Sequence, residues 1–162
     1  MRPRGPAAYA SSPAPGWASS FGPMASRKAR PADVEAICGS LPETWFGTSW
    51  GDVPTWLVPL RVKGDKGRGF VLHRKPHRSA VDPETGEQYD DLLVIRTANA
   101  DDKQALVDAD GPFFTIDHFN GYNAVLVQQS RLGEITRDEL AEVITDAWVA
   151  TAPKKLVKEF LA

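Results

Sequence analysis

Disulfide chemistry is closed to this chain, because its 162 residues include a single cysteine, Cys38. No internal bridge can form, and such usage fits a reducing, cytoplasmic compartment. Histidine is scarce too. His73 and His77 stand four apart with Pro76 between them and no third ligand nearby, whereas a structural zinc site needs four closely spaced ligands. No apolar run approaches the roughly 18 to 20 residues that a membrane-spanning helix requires, so no membrane partner is expected. An excess of positive charge is also lacking: 19 Lys and Arg stand against 21 Asp and Glu, which excludes a globally basic nucleic-acid binder. Nor is there a serine or cysteine nucleophile motif. Gly64 to Gly69 (GDKGRG) resembles a phosphate-cradling loop only superficially, because it lacks the G-x-x-x-x-G-K-[ST] pattern and no helix follows it. The chain is therefore expected to be non-enzymatic and to use no cofactor and no metal.

What is present is the composition of a globular protein, 42% hydrophobic and 25% charged, with five tryptophans. Residues 1–25 are rich in Pro, Ala, Ser and Gly without a sustained apolar period. Such a segment cannot bury enough surface to offset its ordering entropy. It reads as a disordered tail, or as an extension ahead of a start at Met24. Residues 26–162 read as one α+β domain.

The first helix is expected over Pro31 to Leu41, with Pro31 at an initial position and Val34, Ile37, Cys38 and Leu41 on one face. Pro42 ends it, and Trp45, Phe46, Trp50 and Gly51 fall in an aromatic connector. Strands follow over Thr55–Lys63, Phe70–Lys75 and Asp91–Thr97, the loop 76–90 being mobile. Pro59 predicts an edge or a bulge in the first of them. A second helix spans Ala100–Asp110 behind an Asn99 cap. A third starts at a Thr136/Glu139 capping box with an Ile135/Leu140 staple and carries the core stripe Leu140, Val143, Ile144, Ala147 and Trp148. Pro153 interrupts it before a terminal helical segment.

Between the last two helices, Asn120-Gly121 separates two β-prone runs, the strongest short-range hairpin signal. A two-residue loop pairs Phe114 with Val127, Ile116 with Val125, His118 with Asn123 and Phe119 with Tyr122. Phe114, Ile116, Val125 and Val127 then share the core face. The tip presents Phe119 and Tyr122 side by side, either as cross-strand stabilisation or as a contact surface. The expected architecture is a two-layer sandwich, α-β(3)-α-β(2)-α, with an antiparallel sheet.

Trp50-Gly51 with Pro54-Thr55, Leu92 to Arg96, Phe113-Phe114, the run Asp117 to Val127, and Asp146-Ala147-Trp148 with Ala152 to Val157 together resemble the MmcQ/YjbR family over about Ala29 to Leu161. That resemblance implies the same α-β(3)-α-β(2)-α fold, similar to secretion chaperones and more loosely to frataxin-type proteins. It also implies DNA binding by a double-wing motif of two β-hairpins. Many relatives carry a tryptophan just after the position of Asn120-Gly121-Tyr122, where this chain has none.

Charge is segregated in a way that suits the resemblance. From Arg61 to Arg78 seven cations (Arg61, Lys63, Lys66, Arg68, Arg74, Lys75, Arg78) stand against Asp65 alone, and from Asp82 to Asp117 ten acids stand against Arg96 and Lys103. The first wing would use those seven cations on phosphates. The second would offer Phe119, Asn120 and Tyr122 for stacking. The competing reading is that the basic strand merely pairs with the acidic stretch. The expected function is phosphate-directed binding of nucleic acid, DNA before RNA, by a monomer or weak homodimer. The alternatives are a protein-partner module resembling a secretion chaperone, and a frataxin-like metal binder using Asp82, Glu84, Glu87, Asp90 and Asp91.

Overall fold

The computed structural model describes residues 27–49, 52–73, 81–82, 84–89 and 91–162, without the side chain of His118. The N-terminal tail, Trp50-Gly51, Arg74, Lys75, Arg78, His77, Asp90 and the His118–Asn123 pairing thus lie outside the described residues, as do residues 76–80 and 83 of the loop 76–90. Pro31–Ser40 forms α1, followed by β1 (Trp45–Ser49), β2 (Val53–Val58), β3 (Arg68–His73) and β4 (Leu92–Arg96). Then come α2 (Ala100–Asp108), β5 (Ala124–Gln128), α3 (Arg137–Thr151) and α4 (Lys154–Leu161). The five strands make one antiparallel sheet in sequence order, an α+β architecture.

Local chemistry sets the helix starts. Thr136 Oγ1 accepts from the Glu139 amide at 3.1 Å while Glu139 Oε1 accepts from the Thr136 amide at 3.0 Å, the reciprocal box expected for α3. Asn99 Oδ1 accepts from the Asp102 amide at 2.8 Å at the head of α2. At α1, Asp33 accepts from the Arg30 amide at 2.8 Å and also holds Arg27 at 2.7 Å and Arg137 at 3.5 Å. One carboxylate thereby ties the starts of α1 and α3 together. The Arg27 guanidinium, foremost, holds it down to about 2.

The helices cover one sheet face. There Trp56, Val58, Phe70, Val71, Leu93, Ile95, Val125 and Val127 meet Ile37, Leu140, Ile144 and Trp148. Cys38 is buried in this layer, which pushes its thiol far up and leaves it inert. On the opposite face Val53, Leu72, Leu92, Val94, Ala124, Leu126 and Phe119 form a second cluster, with Tyr89, Phe114 and Ile116 packed on it.

The strands are distributed four before α2 and one after it, where the sequence suggested three and two. Trp45–Ser49 is a strand and not a connector, pairing Trp45 with Leu57 through Ser49 with Val53. Pro59 follows the end of β2, which is paired on both sides; the irregularity in that strand falls at Trp56/Leu57. The Asn120-Gly121 hairpin does not form. Asp117–Phe119 is a 3₁₀ turn, Asn120 is right-handed helical, and neither Asn120 nor Gly121 has the positive φ a two-residue turn requires.

Only one bridge survives, Phe114 with Leu126, one residue from the register a two-residue loop would impose. A one-residue slip exchanges the faces. Phe114 and Ile116 accordingly join the second cluster, while Val125 and Val127 keep their place under α3. Burial overrode turn chemistry: Phe119 is 1% exposed, and the Lys103 ammonium donates to the Phe119 and Tyr122 carbonyls at 2.6 and 2.7 Å.

Candidate nucleic-acid interface

The loop joining β2 to β3 is built around a carboxylate. Asp65 accepts from the amides of Leu60 (2.9 Å), Arg61 (2.7 Å) and Gly67 (2.8 Å). Those three bonds to the charged form hold its carboxyl below the usual range. Gly67 is left-handed, and a Cβ there would lie 2.6 Å from the Trp45 ring. Glycine is thus what lets the indole of β1 close over the loop. The single acid of the basic segment is consumed in shaping it.

The cations of that segment differ in availability. Arg61 is engaged, donating to Glu43 at 2.7 Å. Lys63, Lys66 and Arg68 are exposed and have no carboxylate partner. Among the described residues no ion pair joins residues 61–73 to the acids of 82–117. The acidic stretch therefore does not neutralise the described part of the basic one. Exposed apolar side chains lie at the same place: Leu60 and Val62 in the loop, and Trp45 on β1, whose ring meets Gly67; Phe46, its neighbour on the strand, turns to the opposite face, onto Trp56 and His73. Basic and aromatic surface are adjacent here.

The second expected wing is not a wing. Phe119 is core, and its ring meets Tyr122 edge-on at 5.6 Å. Asn120 is exposed beside it, and Tyr122 is 56% exposed, so of the expected aromatic pair Tyr122 alone reaches solvent. Sequence reasoning missed Trp45, which sat in a segment read as a connector. It also missed Arg96, which ends a strand read simply as buried. Arg96 is half-buried, and its Nε donates to the Gly69 carbonyl at 2.6 Å. Burial, then the charge of Arg68, depresses its pKa. The signal for it was period-two alternation, which places Arg96 on the face of Leu92 and Val94.

Other clusters offer less. His73 is half-buried against Phe46 at 5.9 Å, and burial lowers its pKa. Among the described residues, which include Asp82, Glu84, Glu87 and Asp91 but not Asp90, no group of three or more His, Cys, Asp or Glu could hold a metal ion. An open cleft of about 620 Å³ lies between Tyr89, Phe113, Phe114 and Arg131, with Arg131 turned to Glu134 at 2.5 Å. No helix among the described residues is long and apolar enough to cross a membrane.

No family model matches the chain, and no solved structure matches it. Curated relatives do. The chain is 44% identical over 136 residues to "Uncharacterized protein Rv2570" and "Uncharacterized protein MT2646" of Mycobacterium tuberculosis and to "Uncharacterized protein Mb2600" of Mycobacterium bovis. The alignment covers 80% of this chain and 94% of each relative. With near-complete coverage at that identity, the chain belongs to the family of these mycobacterial proteins.

Proposed function

We propose that this is a non-enzymatic, cytoplasmic nucleic-acid-binding protein, contacting phosphates through the β2–β3 loop and one base through Trp45. The observation that carries the reading is the juxtaposition of three unpaired cations, Lys63, Lys66 and Arg68, with an exposed indole on a loop rigidified by Asp65. Cations supply sequence-independent affinity, and an aromatic face stacks on any base for about 1–3 kcal/mol. The resemblance to MmcQ/YjbR proteins points the same way. It places a basic hairpin wing at this loop, with Arg74, Lys75 and Arg78 continuing beyond the described residues. Tyr122 replaces the expected Phe119–Tyr122 pair as the outlying contact. Fluorescence anisotropy with a labelled oligonucleotide at about 50 mM salt tests the reading. Binding that survives unchanged in a Lys63/Lys66/Arg68→Ala variant contradicts it, as does no binding by the parent protein.

One observation favours a second reading, a protein-partner module. β1 is an edge strand with Trp45 and Phe46 exposed, and it carries no Lys, Pro or bulge of the kind that blunts edges. Strand addition there predicts a concentration-dependent dimer in light scattering that Trp45→Lys abolishes.

A further inference from the structure

Three aromatic side chains from adjacent strands meet α1 across one end of the sheet. Phe46 of β1, Trp56 of β2 and His73 of β3 line an open hollow of about 250 Å³, together with Val34 and Glu35 of α1 and Gln129 after β5. Phe46 lies 5.2 Å from Trp56 at 58° and 5.9 Å from His73 at 81°, so the rings are inclined to one another and not stacked. Phe46 remains 53% exposed, which leaves ring surface that the protein itself does not cover. Glu35 supplies the one carboxylate of the lining, and among the described residues it forms no ion pair. No lysine or arginine lines the hollow. Burial lowers the pKa of His73, so the imidazole brings no positive charge at neutral pH.

We propose that this hollow between α1 and the sheet binds a small quaternary ammonium group. An aromatic face carries the negative part of a quadrupole and attracts a cation within about 6 Å of its centroid. Inclined rings and a carboxylate around one space act in the same direction. Size and hydrogen bonding then select among cations. The hollow falls below the range of about 300–1,000 Å³ that drug-sized ligands occupy, so its occupant is small. A primary ammonium brings three donors and a guanidinium five, more than the few polar atoms of this lining can meet. A fully methylated nitrogen has no donor to satisfy. The group has two sources, a free solute of the choline type or a trimethylated lysine side chain. Phe46 lies on the face of β1 opposite Trp45, and the site shares no residue with the β2–β3 loop. It therefore stands or falls apart from the nucleic-acid reading.

The test titrates the full chain with choline and follows the Trp56 indole and His73 ring resonances. Saturable shifts of both are expected. The neutral carbon isostere of choline, with a tert-butyl group in place of trimethylammonium, should bind several-fold more weakly. Glu35 and Phe46 are both exposed, so Glu35→Gln and Phe46→Leu are expected to keep the fold. Each should lower choline affinity by about two- to fivefold. A merely apolar hollow would take the isostere as well as choline and be indifferent to Glu35→Gln. That result overturns the proposal, as does unchanged affinity in Phe46→Leu or no saturable shift at tens of millimolar choline. Tighter binding of an N-acetylated trimethyllysine amide than of choline assigns the site to a modified protein. Equal or weaker binding of that amide assigns it to a free solute.

Discussion

Glu43 and Arg61 are the two non-glycine residues with left-handed backbone among the described residues, at φ 57° and 60°, and they are bonded to each other at 2.7 Å. A left-handed residue other than glycine persists only where its surroundings fix it. Here the Asp65 carboxylate holds the Arg61 amide from one side while Glu43 holds its guanidinium from the other. The α1–β1 turn and the β2–β3 loop are thereby clamped together, and Trp45 stands between them.

Replacing Arg61 tests that arrangement. The left-handed backbone costs an ordinary residue about 1–2 kcal/mol and glycine nothing, and an exposed ion pair returns little. Arg61→Gly is expected to leave the melting temperature unchanged or raise it by about 2–4 °C. Because Arg61 is already engaged, its loss should weaken oligonucleotide binding less than Lys63→Ala, Lys66→Ala or Arg68→Ala does. Anisotropy titrations of the four variants decide this.

Phe119 and Tyr122 should separate stability from binding. Phe119 fills the second cluster, so Phe119→Ala is expected to cost about 3–5 kcal/mol in denaturant unfolding. Tyr122→Ala should leave stability within about 0.5 kcal/mol and lower affinity for a single-stranded oligonucleotide. The reverse ranking would restore a solvent-facing aromatic pair.

Asp146 gives the protein a pH signature. Burial raises its carboxyl from 3.8 to about 6. A raised acid binds its proton more tightly in the folded state, so it lowers stability progressively as pH climbs from 3.8 through 6. Its side chain reaches solvent, which screens the cost to the order of 1 kcal/mol. Asp146→Asn should therefore raise the melting temperature by about 2–4 °C at pH 7.5. Below the unfolded value the gain should vanish, a trend that thermal unfolding across pH follows directly.

Where a signal was local, the sequence spoke plainly. The Thr136/Glu139 box needs only four residues to be recognisable, and the stripe from Leu140 to Trp148 follows from helical period alone. Asn120-Gly121 was equally local, yet its turn lost to two long-range facts, the burial of Phe119 and the ammonium of Lys103 reaching its carbonyl. β1 was illegible because an edge strand with Trp45 and Phe46 left exposed shows no hydrophobic alternation. Arg61 and Arg96 show the same division on the candidate surface. Counting charges identified the basic segment, but only the fold shows that Arg61 is engaged by Glu43 and that Arg96 has no acid.

The salt dependence of oligonucleotide binding tests the central claim most directly. If Lys63, Lys66 and Arg68 each displace a counterion from duplex DNA, log K should fall against log salt with slope about −2 to −3. Contacts by Arg74, Lys75 and Arg78 would steepen it. Replacing Lys63, Lys66 and Arg68 together should make the slope shallower by that amount. A slope near zero in the parent protein, or one unchanged by the triple replacement, would contradict a phosphate-directed interface on the β2–β3 loop.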